Sequence, residues 1–510
     1  MSSVPKLYAA ELDGITAELI EVEADLNVGL HSFNIVGLAD KAVSEAKERV
    51  NSALKNSGIK PPTKENRRIT INLAPADVKK SGAHFDLPIA VAYLLASDQL
   101  KPFKTDDKIF IGELSLDGSV RPVAGTLNIA RLAQRKKIPI VFVPRENARE
   151  AAVIKNIQVI PVGNVRELIE HLEGAKLITP QPFTEIVPGH PPSSVSLSDI
   201  KGHEAAKRAL LVAAAGGHNV LFSGPPGTGK TMLAQAFASI LPPPSIDEAI
   251  EITQIYSAAG LTASQPFMSW RPFRSPHHSA SLVSLMGGGA NPRPGEISLA
   301  HRGVLFLDEI PEFHRDVLEG LRQPLEDGKI HVARAKRTLT FPARFALLAA
   351  MNPCPCGYFE DSEKECRCTA HEIMRYQKKI SGPLLDRFDI QLEVPRIPIE
   401  ELRKQSAASN DDEYRTRVRS ARARQYERFK TVSGVYANAD MSSKLAEGYA
   451  ALDSAGEQFL KRVLEKNFVS PRGYYRILKV ARTIADLEQS ERVSQNHLAE
   501  AFQYRVKTGE

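Results

Sequence analysis

Cysteine is nearly absent from this sequence, and where it occurs it is confined: Cys354, Cys356, Cys366 and Cys368 are the 4 thiols of 510 residues, all inside MNPCPCGYFEDSEKECRC. That confinement excludes a disulfide framework spread over the fold. No uninterrupted apolar run approaches the length of a membrane span. The N-terminus, MSSVPKLYAAELDGITAELIEVEADL, lacks the basic start, apolar core and cleavage site of a secretory signal. A cytoplasmic location without a membrane partner is therefore expected. Charge of one sign is also scarce: a net +6 is modest for this length, so any grip on nucleic acid must come from local patches and not from a global field.

What is present is the balance of a soluble globular protein, 43% hydrophobic and 25% charged. The length suits about three domains of ordinary size. Residues 178–202, ITPQPFTEIVPGHPPSSVSLSDIKG, are dense in Pro and Ser and have no helical or strand period, so they read as a linker. Before them, strand-like RRITINLAP and IPIVFVP alternate with helical DLPIAVAYLLAS and TLNIARLAQRKK, which predicts an α/β domain. After them, NVLFSG, GVLFLDE and RFALLAAMN are apolar strands separated by helical patterns, as in a parallel sheet. From about residue 399 the pattern is almost wholly helical. The expected division is 1–177, a linker 178–197, a core 198–397 with a cysteine-rich insertion 354–368, and a helical lid 398–510.

The strongest local signal is NVLFSGPPGTGKTMLAQAFA, where a buried strand runs into Gly224, Pro225, Pro226, Gly227, Thr228, Gly229, Lys230 and Thr231 and a helix follows. Backbone amides of such a loop wrap phosphates, and the helix N-terminus adds the positive end of its dipole. Lys230 is expected to reach the β- and γ-phosphates of ATP and Thr231 to ligate Mg²⁺. Downstream, GVLFLDEI ends an apolar strand in two carboxylates. Asp308 is expected to hold the Mg²⁺ and Glu309 to orient and deprotonate the attacking water, which implies hydrolysis and not binding alone.

A third strand, RFALLAAMN, ends in Asn352, and LLDRFD and FVSPRGYYR follow it. In this order the motifs resemble those of AAA+ ATPases. The resemblance implies that Asn352 (sensor 1) helps place the lytic water, that Arg387 is an arginine finger offered to a neighbouring subunit, and that Arg472 is sensor 2. Arg387 also has a plainer reading as a surface ion pair with Asp386 or Asp389. A finger supplied in trans makes hydrolysis depend on assembly, so a ring, expected to be a hexamer, follows.

RSPHHSASLVSLMGGGANPRPGEISLAHRGVLFLDEIPEF, NPCPCG and FNIVGLADKAVSEAKERVNSALKNSG narrow the likeness to the YifB/ComM family of magnesium-chelatase-like ATPases, across essentially the whole chain. The resemblance implies a hexameric, ATP-driven DNA helicase that moves branched junctions during natural transformation and homologous recombination. It acts on single-stranded and branched DNA without regard to sequence. The alternative is a magnesium-chelatase-like or regulatory ATPase that remodels a protein partner. His277 and His278 read either as metal ligands or as turn and subunit-contact residues.

The first domain resembles Lon proteases in VKKSGAHFDLPIAVAYLLA and IGELSLDGSVRPVAGTLNIARLAQRKKIPIVFVPREN. His84 stands where that family carries its nucleophilic Ser, and Leu127 where it carries the activating Lys. A Lon-like but non-proteolytic domain is expected.

For the cysteine loop three readings stay open: a Zn²⁺ site, unligated reduced thiols, or a redox device. Its remaining residues, among them Glu360, Asp361, Glu363, Lys364 and Glu365, are too polar to order the loop around a core of its own. Metal binding would supply that folding free energy. GKIHVARAKRTLTFPARF reads as a β-hairpin whose tip, with Arg334, Lys336 and Arg337, is either a DNA phosphate grip or a solvated basic turn. Few aromatics accompany those charges, so base stacking is not expected.

Overall fold

Alternating apolar and polar residues in KLYAAELD and TAELIEVEADLNV pair as the antiparallel strands β1 (Lys6–Asp13) and β2 (Thr16–Val28), and the first sheet grows from them. The structure, a computed structural model, describes residues 4–64, 66–191, 195–263, 265–289, 292–333, 338–361, 363–398, 400–401, 411–466 and 470–505. They form two units, one mainly of Met1–Val187 with Ile246–Met268, the other mainly of Pro188–Ser245, Ser269–Ala333 and Thr340–Glu510.

In the first unit, β3 (Ser32–Val36), β4 (Arg67–Ala74), β5 (Lys108–Phe110), β8 (Ile140–Pro144) and β9 (Gln158–Val162) complete a seven-stranded mixed sheet ordered β3-β4-β2-β1-β5-β8-β9. The short β6 (Glu113–Leu114) and β7 (Val120–Arg121) pair separately. Strand alternation sends Phe110 and Phe142 to one face, where they pack with Val50, Leu54, Ile89 and Tyr93. Ile109, Val141 and Val143 face the other side and meet Leu127 and Ala130.

The helix Ile246–Ala259 lies inside the range expected for the ATPase core, yet it packs in this first unit, with Ala249 fully buried beside Leu127 and Ala133. Glu150 pins it there. This buried carboxylate accepts from the Leu127 amide (3.1 Å), the Thr262 hydroxyl (2.9 Å), the Asn147 amide (3.2 Å) and the Ser257 hydroxyl. Desolvation raises its pKa, and the donors oppose that rise.

The second unit holds a five-stranded sheet of β10 (Val220–Ser223), β11 (Phe273–Arg274), β12 (Val304–Leu307), β15 (Ala346–Met351) and β16 (Ile390–Glu393), ordered β11-β12-β15-β10-β16. Every pairing in it is parallel. Between β12 and β15, β13 (Lys329–Ala333) and β14 (Thr338–Pro342) make a two-stranded sheet. Continuous apolar runs such as VLF in β10 and VLFL in β12, buried throughout, suit strands covered on both faces.

The C-terminal region supplies helices Asp411–Phe429, Ser454–Lys466, Pro471–Leu487 and Gln495–Gln503. Their residues Val418, Ile477, Ile484 and Leu498 share one core with Phe222 and Leu233. The architecture is thus the expected α/β chain: a mixed-sheet N-terminal domain, a parallel P-loop sheet and a C-terminal helical lid. Among the described residues no helix is long and apolar enough to cross a membrane.

Candidate active site

The loop that follows β10 carries the phosphate-binding motif, and the helix Lys230–Ile240 starts directly behind it, with Gly229 in the left-handed region at φ +86°. Gly224 is required for a second reason. A Cβ there would stand 2.2 Å from the Val394 carbonyl oxygen, so no larger residue fits between the loop and the end of β16. Lys230 Nζ donates to the carbonyls of Gly224 (2.6 Å) and Pro225 (2.8 Å) and to Asn352 Oδ1 (3.2 Å). Burial lowers its pKa to about 8, against the pull of Asp308 and Glu309.

Thr231 Oγ1 donates to Asp308 Oδ2 at 2.8 Å, which joins the two hard-oxygen groups assigned to Mg²⁺ at the mouth of the loop. Glu309 follows in the left-handed region at φ +51°, unusual for a residue with a side chain. Its carboxylate is half exposed and 3.8 Å from His278 Nδ1. His278 thus sits beside the candidate base, tilted against His277 and edge-on to Phe313. Sequence reading also missed His203, whose ring Nε2 lies 2.9 Å from the Thr228 carbonyl and steadies the loop.

Lys230, Thr231, Asp308, Glu309 and Asn352 are thus brought together at the C-terminal edge of the parallel sheet. Arg387 and Arg472 are not among them. Val220 pairs with Ile390 and Ser223 with Glu393, so Arg387, just before β16, lies at the N-terminal edge, about 10 Å of strand away from the P-loop end. The Asn219 side-chain amide donates to the Arg387 carbonyl (2.9 Å) and fixes it there. Arg472 approaches Asp386 at 3.9 Å, and Arg476 reaches the same aspartate at 3.5 Å.

Arg387 itself pairs with Glu326 and not with Asp386 or Asp389, the partners of the plainer reading. Burial, then the neighbouring Arg472, Arg476 and Arg322, lower its pKa. Its Nε is a buried donor without a hydrogen-bond partner.

The four cysteines converge. Their Sγ atoms all lie within 4.8 Å of one another, with Cys354–Cys356, Cys354–Cys366 and Cys356–Cys366 at 3.4, 3.7 and 3.6 Å. A tetrahedral zinc with Zn–S bonds of ~2.3 Å sets its sulfurs about 3.8 Å apart, so the donor set fits that ion. Backbone amides of Tyr358 and Arg367 push the Cys356 thiol down to about 6, while Cys366 and Cys368, against their backbone donors, are raised by desolvation and the neighbouring thiols, so the four cannot all ionise without a cation among them.

Of the hairpin, the strands are described and join through His331 Nδ1 and Thr340 Oγ1 at 3.1 Å. Arg334, Lys336 and Arg337 lie outside the described residues. In the first unit, His84 Nε2 is 3.0 Å from the Ala10 carbonyl, and burial lowers its pKa to about 4. Leu127 is fully buried in the core. Glu11, 3.7 Å from His84, is pushed up to about 7 by desolvation while accepting from Ser81. These side chains are tied up in the interior and resemble a remodelled core more than an exposed nucleophile and base.

Comparison with known proteins agrees with this layout. The family described as magnesium chelatase, subunit ChlI, matches residues 196–402; those described as subunit ChlI of Mg-chelatase and as magnesium chelatase, subunit ChlI C-terminal, match 22–147 and 408–505. YifB of Salmonella typhimurium is 43% identical over 97% of this chain and 95% of its own length. The competence protein ComM of Haemophilus influenzae is 43% identical over 99% of this chain and 98% of its own. A Lon protease of Rhizobium meliloti is 27% identical over 33% of this chain and 22% of its own length. Matched nearly end to end by such relatives, the chain belongs to the YifB/ComM family of magnesium-chelatase-like AAA+ ATPases.

Proposed function

We propose that this protein is a ring-forming ATPase that drives branched DNA through its centre, in recombination or the uptake of transforming DNA. One observation carries the reading. The P-loop cluster and the arginine cluster occupy opposite edges of one sheet, each incomplete alone, which supports a site shared between neighbouring copies. A hexamer is the assembly expected of such a site.

At that shared site Lys230 and the loop amides hold the β- and γ-phosphates of ATP. Thr231 and Asp308 would hold Mg²⁺, which when bound neutralises phosphate charge. Glu309 takes the proton of the attacking water, and Asn352 orients that water. Arg387 and Arg472 of one copy face the γ-phosphate held by the next and stabilise charge as the bond breaks. The four thiols hold a structural zinc ion.

The relative named a competence protein supports a role in DNA uptake. The basic hairpin supplies sequence-independent phosphate contacts. The test is migration of a synthetic four-way or three-stranded junction by purified protein with ATP. Movement that stops when ATP is replaced by a non-hydrolysable analogue is the expected result. A protein that forms rings and hydrolyses ATP but neither binds nor moves branched DNA is instead a remodeller of protein partners.

A further inference from the structure

The cysteine loop begins two residues after Asn352, and its attachments to the rest of the second unit converge on the nucleotide site. Gly357, at φ +85°, is so close to the P-loop that a Cβ there would stand 2.7 Å from Pro226 Cδ. The same Cβ position is 3.9 Å from Asn352 Cγ. Farther along, Asp361 accepts from Arg396 Nε at 2.9 Å, two residues beyond the Val394 carbonyl on which Gly224 rests. The helix Ala370–Gln377, which follows the last thiol, returns to sensor 1. Its buried Tyr376 presents its hydroxyl to the backbone N–H of Asn352, and Gln377 Nε2 donates to the Pro353 carbonyl at 3.1 Å.

The loop therefore touches the first glycine turn of the P-loop, the end of β16 and both sides of Asn352. Yet it has few apolar residues with which to hold its own form: Cys354 is fully buried, while Glu360, Glu363, Lys364 and Glu365 are exposed. What fixes the spacing between the segment at Cys354–Gly357 and the start of the helix Ala370–Gln377 is the convergence of the four sulfurs.

We propose that the cysteine knuckle is a metal-dependent brace for sensor 1: zinc held by Cys354, Cys356, Cys366 and Cys368 sets Asn352 against Lys230 and the P-loop, and so sets the rate of ATP turnover. This rests on the reading of the thiols as a zinc site, and deepens it. The cysteines act through Asn352, so they are positioning residues. Their loss should lower kcat and leave the KM for ATP nearly unchanged, because Lys230 and the phosphate-binding loop keep partners outside the knuckle, the Gly224 and Pro225 carbonyls and His203.

The experiment uses the full-length protein with three measurements: metal content, the visible absorption of the cobalt-substituted form, and steady-state ATP hydrolysis. Wild type should carry about one zinc per chain and give a thiolate–cobalt spectrum. Cys366→Ser with Cys368→Ser should lose the metal and about tenfold or more in kcat. Stripping wild type with a chelator and restoring zinc should lower and recover kcat without a mutation, which covers the case in which the double variant does not fold.

Tyr376→Phe keeps all four thiols and removes only the hydroxyl that faces the Asn352 backbone N–H. It should retain zinc and still lose several-fold in kcat at constant KM. Absence of any bound metal in wild type defeats the zinc reading itself. Zinc bound stoichiometrically, with kcat unchanged on chelation and in Tyr376→Phe, leaves that reading standing and overturns the brace.

Discussion

The two edges of the parallel sheet differ in how their charges are matched. At the P-loop edge each polar group has a local partner: Lys230 rests on carbonyls and Asn352, and Thr231 on Asp308. At the other edge Arg387, Arg472 and Arg476 crowd around Asp386, Asp389 and Glu326, and one guanidinium donor, Arg387 Nε, is left buried without a hydrogen bond. A balanced cleft is ready to receive a ligand, whereas clustered guanidiniums with a buried donor left over can still take an anion from outside the chain. In the proposed ring these two edges are the halves of one site, which the fold of a single chain holds apart.

Substitutions at the two edges should fail differently. Lys230→Ala should lose nucleotide binding and all turnover, read by a fluorescent ATP analogue and by phosphate release. Arg387→Ala should keep binding and lower kcat by ~10³-fold or more, as for other fingers that act on transition-state charge. Equal loss of binding in both would place Arg387 in the same cleft as Lys230 and break the contrast. Glu309→Gln should also bind ATP while kcat falls by at least about 10²-fold, since it removes the proton acceptor and keeps the shape.

Replacing Arg334, Lys336 and Arg337 together with Ala leaves both edges intact. Basal hydrolysis should persist, while DNA affinity falls for every sequence and the slope of log K against log salt shrinks by up to about 3 per engaged hairpin. A smaller effect concerns pH. With the Lys230 pKa lowered to about 8, the charged form dominates below that value and the neutral form above it. Polyphosphate selects the charged form, so ATP affinity should weaken as pH rises through about 8, by no more than tenfold per unit.

How much of this was legible in the sequence follows from how local each interaction is. The P-loop and the carboxylate pair are contiguous motifs whose residues act where they stand, and the thiols were legible as a cluster because they occur within one loop. The helix Ile246–Ala259 falls inside the range 198–397 expected for the core, but position along the chain does not say which core will cover a helix, and Glu150 with Ser257 and Thr262 holds this one in the first unit. His203 on Thr228, Tyr376 on Asn352 and Gly357 on Pro226 join positions far apart in sequence, with no local pattern to announce them. The separation of Arg472 and Arg387 from Lys230 depends on strand direction and register, which the motifs alone do not contain.

The shared site is tested most directly by mixing two inactive proteins, Lys230→Ala and Arg387→Ala, over a range of ratios and measuring ATP hydrolysis. In a mixed ring, an Arg387→Ala subunit holding ATP lies beside a Lys230→Ala subunit that still carries its arginines, so activity should appear, absent from either protein alone and greatest at intermediate ratios. Mixed rings, verified by exchange of labelled subunits, that stay inactive at every ratio would contradict a site built from the opposite edges of two neighbouring chains.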